Sequence, residues 1–496
     1  MQSIYKTTDK KSSLYSGDHF LSRFYIFSIA TVLILVFESG CKKLVDVDPP
    51  DTTITGSSVY ASDATAIAVL TGIYTRLSST ANYDGNTGFT TISLFTALSA
   101  DEMALFDLNN ANYLSFYRNS LSASGAGSEF WPTIYSYIFT CNSAIEGLKK
   151  STTLAPAVKQ QLTGEAKFMR AFFYFYLINL YGDVPLVLNI DYKVNSLLSR
   201  IPKAQVYQQI INDLKEAQDL LTSDYVKGDV ISKTTERVRP NKWAATALLA
   251  RAYLFNGDYI NAESQATSVI NNSSMYSLST LPDVFLKNSN EAILQLQPVF
   301  PATVVSNTHD AVQFIIPATG PSNSWPVYLS TSLVNSFESS DQRKINWVSS
   351  VIMGTDTFYY PYKYKMNTPN DPVTEYLMLL RLAEQYFIRA ESRAKQNKLN
   401  EAMNDLNVIR TRAGLANTTA TTQSELIIAI QHERQVELFM ELGHRWLDLK
   451  RMNVIDAVMT IVTPKKGGTW STNWQLYPIP VGDIQKDPNL IQNAGY

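Results

Sequence analysis

The sequence predicts a mostly α-helical fold, with stacked helix pairs packed against an irregular, loop-rich half that carries a few short strands. Three observations predict it. Residues 376–414 (YLMLLRLAEQYFIRAESRAKQNKLNEAMNDLNVIRTRAG) carry two successive apolar stripes at helical spacing: Leu377, Leu380, Ala383, Phe387, Ala390 and Ala394, then Leu399, Ala402, Leu406, Ile409 and Ala413. Asn397-Lys398 breaks them apart, and Gly414 stands where a C-cap glycine belongs. A similar arrangement recurs at 243–262 and, more loosely, at 164–183, each with a Gly-Asp turn. Finally, most of 80–127 and 271–375 lacks helical periodicity and is rich in Asn, Ser and aromatics, the composition of loops.

The repeated core is Arg-Ala followed by an aromatic or Glu, at Arg170-Ala171-Phe172, Arg251-Ala252-Tyr253 and Arg389-Ala390-Glu391. With its small residues and inter-helix turn it is close to the tetratricopeptide pattern. One helix pair cannot bury its own apolar face, so such units stack. The plainer reading is generic helical hairpins.

In chain order, residues 1–40 read as an export signal. Lys6, Lys10, Lys11 and Arg23 precede an apolar run at 24–37 that is short for a bilayer span. Ser39-Gly40-Cys41 then resembles a bacterial lipobox, with Glu38 where Leu is usual. The expectation is cleavage after Gly40 and lipidation of Cys41; the other reading is a secretory signal with an incidental cysteine. The long stretch before the apolar run leaves room for a start downstream of Met1. Residues 41–58 read as a polar tether. Residues 59–290 form an expected N-terminal half, with helices at 59–78, 130–149, 156–181, 203–221, 240–255 and 259–270. Residues 291–496 form a C-terminal half integrated with it. There, 292–297 and 358–365 alternate like strands, helices resume at 375, and 424–440 is another helix.

Length and composition bound the function. A chain of 496 residues with 45% hydrophobic and 17% charged residues can bury a core, and 42 basic against 44 acidic residues gives no field for nucleic acid. The only cysteine besides Cys41 is Cys141, in an apolar helical stretch, and is expected to be a buried thiol. No P-loop, Gly-x-Ser-x-Gly or dinucleotide fingerprint occurs, which argues against a cofactor or a catalytic elbow. His432-Glu433 begins like a zincin, but Val436 stands where the second His is needed. Asp101-Glu102 are sequence neighbours whose side chains must diverge. Glu433, Glu437 and Glu441 fall on one helix face. They are either a metal or acid–base site or, as favoured here, an ion-pair network with arginines such as Arg381, Arg389 or Arg410.

Binding is the better reading of the loops. Sugar rings present flat C–H faces to Tyr and Trp, and their hydroxyls suit Asn and Arg. Two stretches fit, NYLSFYR with Asn112, Tyr113, Tyr117 and Arg118, and SNSWPVY with Trp325 and Tyr328. Trp470 and Trp474 form a third group, read as packing. Any one of these rings could instead belong to a satellite core beneath a loop.

Several stretches carry a resemblance: Cys41-Lys42-Lys43-Leu44-Val45-Asp46; Cys141-Asn142 in its long helix; 165–185; 381–414; Glu433-Arg434 through Arg445-Trp446-Leu447-Asp448; and the tail Tyr477-Pro478-Ile479-Pro480 to Asn489-Leu490. In that order they resemble the SusD/RagB family of outer-membrane nutrient-uptake lipoproteins, over nearly the whole chain. The resemblance implies four tetratricopeptide-like units against a loop-rich half. It implies a TonB-dependent outer-membrane barrel as partner, membrane attachment through the lipid, and binding of oligosaccharides or other oligomeric nutrients without cofactor or chemistry.

Overall fold

The computed structural model describes residues 56–78, 91–299 and 306–496. The expected signal peptide, Cys41 and the tether up to residue 55 lie outside the described residues. Residues 56–58, expected to close the tether, begin a short helix, Gly56–Val59. Among the described residues no helix is long and apolar enough to cross a membrane.

The fold is mostly helical. The first helices are α1 (Asp63–Ser78), α2 (Thr91–Ser99) and α3 (Ala111–Tyr117). The stack follows: α4 (Phe130–Lys150), α5 (Pro156–Tyr181), α6 (Lys203–Leu220), α7 (Lys242–Phe255) and α8 (Tyr259–Ile270). It continues with α9 (Leu382–Lys395), α10 (Leu399–Arg412) and α11 (Gln423–Leu438), and α12 (His444–Arg451) and α13 (Ile455–Lys465) complete it. Each helix from α4 to α10 packs on the next, and α8 meets α9 across the long irregular stretch between them.

The recurring arginines explain the stacking. Arg170 of α5 grips Asp213 of α6 with Nε–Oδ2 2.8 Å and Nη2–Oδ1 2.6 Å. Arg251 of α7 holds Glu384 of α9 through two 2.6 Å bonds. Arg389 of α9 holds Asp405 of α10, at 2.6 Å for Nη2–Oδ1. Each guanidinium meets a carboxylate as a planar fork, so the pair fixes both the distance and the rotation of neighbouring helices. The Arg-Ala signature is therefore a helix-to-helix staple, with the small Ala beside it allowing close approach.

Local signals set the helix ends. Thr422 and Glu425 form a capping box at the start of α11. Asn241 and Asp258 cap α7 and α8. Gly414 follows α10 at φ 73°, as its C-cap role requires. Cys141 is a fully buried free thiol on α4, and burial pushes its pKa up. Also on α4, Gly147 lies beneath Tyr60, whose ring carbons would be 2.2 Å from an added Cβ. Gly147→Ala gains about 1 kcal/mol of helix propensity, but overpacking against the ring costs about 1–3 kcal/mol. The expected result is a lower urea midpoint with an unchanged slope.

Besides a two-residue pair, Tyr225–Val226 with Lys233–Thr234, the strands are β1 (Met103–Leu105), β2 (Ala292–Leu296), β3 (Val327–Leu329), β4 (Val348–Met353), β5 (Asp356–Pro361) and β6 (Leu377–Arg381), all short. They pair antiparallel as β1–β3, β2–β6 and β4–β5. Four expectations need correction. Leu377 and Leu380 belong to strand β6, not to a helix; all five β6 residues are buried, and a short, continuously apolar run has no period that separates strand from helix. The alternation at 358–365 forms a hairpin arm as expected, its partner arm preceding it, but the strand ends at Pro361 and not at 365. The stretch expected as loop around Asn112 and Tyr113 is helix α3, whose first turn is capped by the Asn110 side chain. Helix α11 stops at Leu438, because Met440 and Leu442 turn to φ 57° and 43°, so Glu441 lies beyond the helix.

Candidate functional site

The glutamate row is an ion-pair network. Glu433 meets Arg410 and, at 2.8 Å, Arg343. Glu437 meets Arg412, Arg381 at 2.7 Å and Arg343 at 3.2 Å. Glu441 meets Arg381 at 2.7 Å and Lys363 at 2.5 Å. All three acids are buried. Burial alone would push the Glu437 carboxyl up, but Arg412, Arg381 and Arg343 outweigh it and hold it well below the usual range. Arg389, one of the expected partners, pairs with Asp405 instead. Glu338, His432 and Glu433 also cluster, but Arg410 already bridges the two acids, and the His432 Nε2–H donates to the Ser336 carbonyl at 2.8 Å. Asp101 and Glu102 diverge as expected. Asp101 takes a two-pronged grip from Arg445, at 2.8 and 2.7 Å. Glu102 accepts from the Met440 amide, and burial, with the nearby Asp101, pushes it up to about 8.

Aromatic rings converge elsewhere, where β1 pairs with β3. The register sets Ala104 opposite Tyr328, and the Phe106 amide closes the pair by donating to Pro326 at 2.6 Å. The Tyr328 ring meets Phe358 of β5 edge-on at 5.0 Å, and Phe358 meets Phe106 edge-on at 5.8 Å. Tyr117 is the last residue of α3. Burial first, then the neighbouring Tyr328, pushes its phenol up, while Arg118 pulls the other way. Phe106 is 38% exposed and Leu108 is 51% exposed, while Phe358 and Tyr360 anchor a small satellite cluster beneath. The result is a rigid aromatic surface with Asp356 and Arg118 as charged neighbours.

Of the residues singled out in the sequence, Tyr117, Arg118 and Tyr328 come together here. Tyr113 turns its ring edge-on to Phe95 at 5.6 Å, and Asn112 lies beside it in the first turn of α3. Trp325 stands in a tight turn closed by reciprocal backbone bonds with Ser322; its half-buried indole N–H donates to the Val312 carbonyl at 3.2 Å. Trp470 packs edge-on against Trp446 and donates to Asp456. Phe106 and Phe358 went unnoticed in the sequence, although the 358–365 alternation already put Phe358 and Tyr360 on one face. A separate cavity of about 560 Å³ lies beside α1, walled by Val226, Val238, Leu296 and Val299. Its arginine, Arg239, is already engaged by Glu165 and Thr71.

Residues 56–254 match a family described as starch-binding, associating with the outer membrane, and residues 334–496 match the SusD family. The chain is 25% identical to SusD-like protein P2 of Formosa agariphila, over 95% of this chain and 99% of that one. It is 24% identical to the starch-binding protein SusD of Bacteroides thetaiotaomicron, over 95% and 98% of the two chains. A SusD superfamily structure from Bacteroides vulgatus superposes with a TM-score of 0.74 at 20% identity, covering 88% of this chain and 99% of that one. A laminarin-binding SusD-like protein does so with a TM-score of 0.68 at 22% identity, over 87% and 99%. With both matched regions in order on one fold of that architecture, the chain belongs to the SusD/RagB family.

Proposed function

We propose that this protein is a lipid-anchored glycan-binding protein of the outer-membrane surface. It captures oligosaccharides, or other oligomeric nutrients, and hands them to a TonB-dependent outer-membrane barrel without altering them. The observation that carries the reading is the Phe106–Phe358–Tyr328–Tyr117 surface: rings brought together by the β1–β3 pair, the β4–β5 hairpin and the end of α3, partly open to solvent, with Arg118 and Asp356 nearby for hydroxyls. Trp325 flanks it, three residues before Tyr328 in the chain, and Tyr113 packs α3 against Phe95, with Asn112 beside it in the same helix. The buried acids favour binding over catalysis, since Glu433, Glu437 and Glu441 are each held by two or more cations.

The test is a native affinity gel against soluble α- and β-glucans, with product analysis of the same mixtures. Retardation without shortened products supports the proposal; product formation would replace it with an enzyme. Anchoring is tested separately. Cys41→Ala is expected to move the protein from the membrane fraction to a soluble one, and unchanged detergent dependence would contradict the lipid anchor.

A further inference from the structure

We propose that Lys466 is a positioning residue for the aromatic surface, a buried ammonium that fixes Tyr117 from beneath. The inference rests on the binding role proposed for that surface. Lys466 follows the last residue of α13 and is 8% exposed. Its Nζ donates to the Leu98 carbonyl at 2.7 Å and to that of Ala100, with Ser99 at 3.5 Å. These are the last carbonyls of α2 and the residue after it, the negative end of a helix that has no basic residue in its own last turn. The same Nζ lies 5.2 Å from the centre of the Tyr117 ring.

The surroundings tie α3 to this node. The Lys466 carbonyl accepts from Arg118 Nε at 3.4 Å. Thr463 bonds Asn119, and Asn119 bonds the Ser99 carbonyl. An added Cβ on Gly468 would lie 2.3 Å from the Arg118 carbonyl, so the turn after Lys466 is pressed against the end of α3. One ammonium thus joins the ends of α2, α3 and α13 directly beneath a ring of the proposed surface.

Few charges balance it. From the α2–β1 turn come Asp101, already gripped by Arg445 of α12, and Glu102, which accepts from Met440. From α3 come Arg118 and the Tyr117 phenol. Burial lowers the Lys466 pKa to about 7, with Asp101 opposing the shift. As pH rises through neutrality the ammonium loses its charge, and its hold on the ring weakens. A neutral amine keeps two donors for the carbonyls, so the fold persists.

The experiment uses the full chain carrying ring-13C tyrosine, with the Tyr117 signal assigned by Tyr117→Phe, followed from pH 6 to 9. The expected result is a step in the Tyr117 signal near neutrality, absent in Lys466→Arg, which stays charged. A flat wild-type signal, or the same step in the arginine variant, would overturn the proposal. In parallel, laminarin is titrated as the probe. Where it binds, affinity is expected to fall roughly two- to thirtyfold from pH 6 to pH 9 in the wild type and to stay level in Lys466→Arg. Equal pH dependence in both proteins also overturns the positioning role. Absence of laminarin binding at every pH counts against the glycan reading for that ligand, while the Tyr117 signal still decides the role of Lys466.

Discussion

Glu437→Gln is expected to lower the unfolding free energy by about 3–5 kcal/mol, the range seen when one partner is removed from a buried ionic group. Glu437 is fully buried and faces three guanidinium groups, from Arg343, Arg381 and Arg412. Arg381 also holds Glu291 and Glu441, and Arg412 also holds Glu291. Glutamine keeps the shape but removes the charge on which the three cations depend. They join four separate segments, since Arg343 precedes β4, Arg381 closes β6, Arg412 ends α10 and Glu437 lies on α11. The loss is therefore cooperative unfolding, measured by denaturant midpoint, and ligand affinity in the folded fraction is expected to stay constant. The effect has a pH signature. Native Glu437 binds its proton less readily than the unfolded chain does, because its pKa is depressed. The unfolded state takes up the proton first, so this stabilisation is fully present above the ordinary carboxylate pKa, about 4, and is lost as pH falls towards the depressed native value. Glu437→Gln should flatten that acid limb. A variant with wild-type stability would show that the network contributes little beyond what solvent would supply.

Tyr328→Ala is expected to weaken glycan binding by about 1–3 kcal/mol, roughly five- to 150-fold, if the ring is a central anchor. Tyr328 meets Phe358 edge-on, and its strand β3 is paired through the Ala104 register, so both its ring and its backbone are held. Because the ring is partly buried, some stability is lost as well, and Tyr328→Phe separates the effects. Phenylalanine keeps the packing on Phe358 and loses only the hydroxyl, so it should retain most of the affinity if stacking dominates. Trp325→Ala is expected to have the smaller effect on affinity, since the indole N–H is already engaged by Val312. Calorimetric titration of the three variants with one oligosaccharide ranks them. Equal affinities for wild type and Tyr328→Ala would place the ligand elsewhere.

The helical half was legible in the sequence because its determinants are local. Apolar stripes, caps and the Arg-Ala signature at Arg170, Arg251 and Arg389 all act within a turn or between adjacent helices. Even there, no local signal shows that each arginine finds its acid on a neighbouring helix, and Arg251 reaches Glu384 across most of the irregular region. Where the period vanished, reading failed: Leu377–Leu380 is apolar at every inward and outward position, so helix and strand look alike. The aromatic surface was legible only in pieces. Tyr117 and Tyr328 could each be picked out by composition, but their adjacency depends on β1 pairing with β3, a contact between distant segments of three residues each. Lys466 carried no signal at all, since a single lysine after a helix is ordinary until the carbonyls around it are seen.

The ligand is proposed to lie on the surface formed by Phe106, Tyr117, Tyr328 and Phe358. A crystal structure of the protein with the tightest-binding oligosaccharide from the glucan gels tests it most directly. The expected density is a sugar ring stacked within about 4 Å of Tyr328 or Phe106, with hydroxyls turned towards Arg118 or Asp356. Sugar density in the cavity beside Tyr74 and Val226, with the aromatic surface bare, would contradict it.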